Sequence, residues 1–83
     1  MEIRYSTDAD AFYVTIGQGE IAGTAHISDD VMVDTEADGT VHGIELPCTP
    51  AELTPEERAA LVGRFPAAAE ALAAIERLTG LSA

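Results

Sequence analysis

The segment DTEADGTVHGIE, Asp34 to Glu45, carries carboxylates at a spacing that could hold calcium. In the frame of an EF-hand loop, Asp34 takes the first position, Asp38 the fifth, Gly39 the sixth and Glu45 the twelfth. Val41 supplies the apolar residue between the two halves, and only Glu36 departs, where Asp or Asn is usual. A hard cation needs such oxygens wrapped around one point, and an EF-hand achieves the wrap with a helix on either side. DDVMV is a poor helix, and Pro47 blocks a second one just after the string. The plainer reading is a β-hairpin. Asp38-Gly39 suits a two-residue type I′ loop, whose central residues both need positive φ. That loop sets Ala37 opposite Thr40, then Thr35 opposite His42, Val33 opposite Ile44 and Val31 opposite Leu46 on one face. Glu36 with Val41, Asp34 with Gly43, and Met32 with Glu45 fall on the other, so the apolar residues sort cleanly. Asp34 and Glu45 then lie diagonally across the ladder and cannot enclose an ion. No metal is expected.

Other groups capable of chemistry are sparse. Asp8 with Asp10, and Asp29 with Asp30, are paired carboxylates, but Asp is also the ordinary residue of β-turns, where its side chain bonds nearby amides. His26 and His42 have no zinc-ligand spacing, and the single Cys48 cannot complete a thiolate site. Cys48 and His42 could form a nucleophilic pair near the end of the last strand, yet neither an orienting third residue nor an oxyanion hole is evident. GQG at 17–19 lacks the following helix and lysine of a phosphate loop. No cofactor and no catalytic residue are expected. Tyr13, His42 and Cys48 are the groups that a pocket between sheet and helix would use.

The elements that position these groups fall into two halves, 1–46 and 47–83, of one domain. In the first, β-branched residues alternate with polar ones in short runs broken by TDAD, GQG, DD and DG. Ile3 and Tyr5, then Phe12, Val14 and Ile16, then Ile21, Gly23, Ala25 and Ile27 each mark one face of a strand. His26 falls on the opposite face of its own strand, while His42 accompanies Ile44. Five antiparallel strands in a β-meander follow. In the second half, Thr54 is an N-cap, Pro55 suits the first helical position and Glu57 can close a capping box. Leu61, Phe65, Ala68, Leu72 and Ile75 form one apolar stripe, interrupted by Pro66, so the tail is either two short helices or one kinked helix. Gly80 is placed to end it. The fold class is α+β: a five-stranded antiparallel β-meander followed by a C-terminal helical segment.

Four Lys+Arg against fifteen Asp+Glu give a net charge of −11 over 83 residues. Such a surface repels phosphate backbones and anionic membranes, and it attracts basic proteins. A hydrophobic fraction of 47% separates the chain from acidic disordered tails. No apolar run suits a signal peptide or a membrane span, and one cysteine fits a reducing compartment, so the cytoplasm is expected. For so small a chain without a disulfide, burial and ordering entropy nearly cancel, which favours self-association. A homodimer is expected, with Leu61, Phe65, Leu72 and Ile75 as its candidate interface.

IRY at 3–5, DADAFYV at 8–14 and DDVMVDTEADGTVHGIEL at 29–46 together resemble a small bacterial family, domain of unknown function 2283. The family's usual ADALY is here ADAFY, and the Ala-rich tail after Pro47 is less typical of it. The resemblance implies a small self-associating β-meander with a helix and no established enzymatic activity. Through relatives encoded beside a ribonuclease-like toxin, it also implies an antitoxin-like role. The expected function is a non-enzymatic protein-binding domain, in its sharpest form the partner of a basic ribonuclease-type toxin. The competing expectation is a small-ligand-binding or accessory catalytic protein.

Overall fold

The computed structural model describes residues 1–8, 10–47 and 53–79. Five antiparallel strands form one sheet: β1 Glu2–Ser6, β2 Ala11–Thr15, β3 Gly23–His26, β4 Met32–Thr35 and β5 Val41–Pro47. Two helices follow, α1 Pro55–Arg64 and α2 Ala68–Thr79. The α+β class and the five antiparallel strands are as the alternation predicts. The strand order is β1-β2-β5-β4-β3, so the sheet is a meander only from β3 to β5. After β2 the chain crosses the end of the sheet to its far edge and returns hairpin by hairpin until β5 pairs with β2, a Greek-key path over β2–β5. Backbone bonds fix the crossing segment to that end. Ile16 and Gly17 N–H donate to the His42 carbonyl at 2.8 and 2.9 Å, and Ala22 N–H donates to the Thr35 carbonyl at 2.7 Å.

Asp8, Asp10, Asp29 and Asp30 lie in turns or bends between strands. Asp10 sits at φ 50°, a conformation that Asp tolerates better than most residues, and its carboxylate accepts from the Tyr5 hydroxyl at 3.1 Å. Asp30 N–H bonds the Ser28 hydroxyl at 3.3 Å within the β3–β4 turn.

The β4–β5 hairpin corrects one expectation. Its loop has three residues, Ala37-Asp38-Gly39, rather than the two of a type I′ turn. Gly39 N–H donates to the Glu36 carbonyl and Glu36 N–H to the Thr40 carbonyl, each at 2.9 Å. Gly39 at φ 88° is the only loop residue with positive φ. This is a tight turn closed by a left-handed glycine, and Asp38 locks it by accepting from Thr40 N–H at 3.0 Å and Thr40 hydroxyl at 2.6 Å. Those bonds hold the exposed Asp38 carboxyl below its ordinary range. The loop shifts the pairing by one residue, to Thr35 with Val41. A bulge between Asp34 and Thr35 then absorbs His42, and Asp34–Gly43, Val33–Ile44 and Met32–Glu45 pair as the hydrophobic pattern requires. The two irregularities cancel.

α1 and α2 are separate helices. Thr54 and Glu57 form the full capping box, and the Phe65 N–H caps α1 on the Leu61 carbonyl at 2.8 Å. Phe65 leaves the helical region at φ −132° and ψ 86°, as a residue before proline tends to do. Arg58 of α1 bonds Glu76 of α2 at 2.7 Å. Hydrogen bonding from Ser28 and the Thr54 backbone lowers the Glu57 carboxyl's pKa. The core joins Phe12, Val14, Val31, Val33, Ile44 and Leu46 of the sheet side to Leu61, Leu72 and Ile75 of the helices. Gly80 lies outside the described residues.

Candidate functional site

The helices cover one face of the sheet, and among the described residues nothing covers the other. Alternation and register place two rows of side chains on that open face. One runs from edge to edge as His26, Met32, Glu45, Tyr13 and Arg4, the other as Thr24, Asp34, Gly43, Thr15 and Glu2. Met32, Asp34, Glu45, Tyr13 and Thr15 are half-buried, while the edge residues are exposed.

Tyr13, Asp34 and Thr24 form the ordered centre of the face. The Tyr13 hydroxyl donates to Asp34 Oδ2 at 2.6 Å, and the Thr24 hydroxyl donates to Asp34 Oδ1 at 2.7 Å. The Tyr13 ring lies so close over Gly43 that any side chain there would collide with it. Burial first, then the Asp34 hydrogen bond and the Asp34 and Glu45 charges, push the phenol well above its ordinary 10.0. A phenol so held is a poor proton donor to substrate and a poor nucleophile. Its geometry suits an anchored ring.

A second group sits at the turn end of the sheet. Glu36 Oε2 accepts Gly19 N–H at 2.9 Å and lies 3.0 Å from His42 Nδ1, both side chains being largely buried. The bulge presents His42 to Glu36, and the bracket fastens the crossing segment to the hairpin. Glu20, Glu36, Ala37 and Asp38 line a shallow, open depression beside it.

Tyr13 and His42 therefore do not converge on one pocket: each bonds its own carboxylate, Asp34 or Glu36, in a separate group. Cys48 lies outside the described residues. Leu61, Leu72 and Ile75 are fully buried against the chain's own sheet, and Phe65 packs on the edge of the same core. They are available to a partner only if the helices leave the sheet. The calcium-like string is dispersed in the same way, with Asp34, Glu36 and Asp38 bonded to three different sets of donors. Among the described residues, no three carboxylate, imidazole or thiol groups gather as metal ligands would.

Sequence patterning placed Asp34 opposite Gly43, but it missed their union with Tyr13. That contact needs β2 next to β5, a pairing between strands 26 or more residues apart. The one local signal was a glycine in mid-strand, which often marks a close approach.

No curated protein and no solved structure matches the chain. The model of one family, described as protein of unknown function (DUF2283), matches residues 2–46, which is the whole sheet up to Leu46. With more than half its length so matched, the chain belongs to that family of proteins of unknown function.

Proposed function

We propose that this chain is a non-enzymatic, acidic protein-binding domain that engages a basic partner. The observation that carries the reading is the asymmetry of the sheet: the helices close one face, while among the described residues the other is uncovered, in a chain of net charge −11. Opposite charge steers such partners together and orients them. Tyr13 and His42 are held in internal bonds to Asp34 and Glu36, and among the described residues the sheet–helix space is filled with apolar side chains. The antitoxin-like form, pairing with a basic ribonuclease-type toxin in the cytoplasm, is the sharpest version of this proposal. No helix among the described residues is long and apolar enough to cross a membrane. The proposal extends to a homodimer, supported by the small size of the chain and by the exposure of Tyr5, Ile21 and Leu78.

Calorimetric titration against a small basic ribonuclease-type protein, and against polyarginine, tests the reading. Saturable binding that weakens as salt rises is expected, because screening erodes the attraction. Absence of binding to either at low ionic strength would overturn it.

A further inference from the structure

Glu45 occupies an unusual place. It lies on the central strand β5, half-buried between Met32 of β4 and Tyr13 of β2. It makes no hydrogen bond or ion pair among the described residues, and its charge is felt by the Tyr13 phenol. The other carboxylates of the face are engaged: Asp34 holds two hydroxyls, and Glu2 pairs with Arg4 at 3.1 Å. Glu45 is thus partly withdrawn from water and uncompensated, beside an aromatic ring that Asp34 and Gly43 hold in place.

We propose that the open sheet face docks an arginine-presenting segment of a basic protein, with Glu45 and Tyr13 as its anchor. The proposal rests on reading the chain as an acidic protein-binding domain, and it names the surface and the group recognised. A guanidinium can stack on the Tyr13 ring while its N–H fork meets the Glu45 carboxylate, and Met32 offers apolar surface to the arginine stem. An ammonium satisfies only the charge. Because Tyr13 is already ordered, binding needs little further loss of side-chain freedom. A second copy fits poorly. A two-fold contact would set this patch against itself, with Glu2, Asp34 and Glu45 facing the same three carboxylates and Arg4 already paired.

The test is an amide NMR titration of the full chain with an acetylated alternating Gly-Arg peptide and with its Gly-Lys counterpart. Shifts should concentrate at Tyr13, Met32, Gly43 and Glu45, with the arginine peptide binding more tightly. Glu45→Gln should weaken that binding about tenfold, as loss of an anchor does. Glu70→Gln, which removes the same charge from the exposed side of α2, should change it by less than about twofold. Tyr13→Phe keeps the ring and should bind within about threefold of the parent, since stacking outlasts the hydroxyl. Equal weakening by Glu45→Gln and Glu70→Gln, with shifts spread over the helices, would overturn the anchor but leave the acidic binding domain standing. Failure of both peptides to bind at low ionic strength would overturn both. Broadening confined to the open face and dependent on protein concentration alone would show that a second copy occupies it, against the proposal.

Discussion

Ile44 and Glu45 are neighbours on β5, yet they belong to different environments. Ile44 is fully buried between its sheet neighbours and the helices, whereas Glu45 stands half-buried on a face that no helix among the described residues covers. The core face holds together by apolar burial, which is indifferent to the identity of any one polar partner. The open face holds together by directed bonds around Asp34, which fix where the Tyr13 ring is displayed beside Glu45. Stability thus resides chiefly on one side of the sheet, and the proposed recognition would use the other.

The sharpest way to break this contrast is substitution on the core face. Ile44→Ala should cost about 2–5 kcal/mol, the usual loss for a buried aliphatic side chain. Urea denaturation measures it, and a loss below about 1 kcal/mol would mean that the helices do not close this face.

Gly43→Ala comes next, at about 1–3 kcal/mol, because the new methyl forces the Tyr13 ring from its seat. In a Tyr13→Ala background the same change should cost little. A double-mutant cycle without coupling would show that the ring does not rest on Gly43.

A smaller effect is confined to alkaline pH. The Tyr13 phenol titrates above its ordinary 10.0 in the fold, so folding favours its protonated form. Its contribution is full below pH 10.0 and is lost as pH rises toward the folded value. Chemical denaturation from neutral to alkaline pH should show that decline, and Tyr13→Phe should flatten it. An equal slope in both proteins would remove the buried phenol from the account. Asp38 and Glu57, whose pKa values are lowered, act at the other end: their contributions are present above their ordinary carboxylate range and fade in acid.

Glu45→Ala should be the mildest change, within about 0.5 kcal/mol of the parent, as for a side chain that makes no bond among the described residues. A larger loss would assign Glu45 to the structure rather than to a partner.

Much of the core face was legible because alternation reports which face a residue occupies. Val33, Ile44 and Leu46 sort to one side by parity alone. Parity could not reveal that the three-residue loop and the His42 bulge each shift the chain by one and cancel. Thr54 and Glu57 were legible as a cap because capping is local. The stripe through Leu61, Leu72 and Ile75 was equally clear, but whether it met its own sheet or a partner's depends on tertiary packing. The open face was the least legible region. Tyr13, Asp34 and Thr24 come from three strands, and the β2–β5 pairing that unites them follows from the crossing segment after GQG. Nothing in the local pattern of that segment sets its destination.

The central claim is that one face is closed by the chain's own helices while the other stays open. Methyl NMR of the dilute protein with a neutral gadolinium relaxation agent tests it most directly. Strong relaxation of the Met32 and Thr15 methyls, beside protected Val33, Ile44 and Leu72 methyls, is the predicted result. Equal protection on both faces, or strong relaxation of the Leu72 methyls, would contradict it.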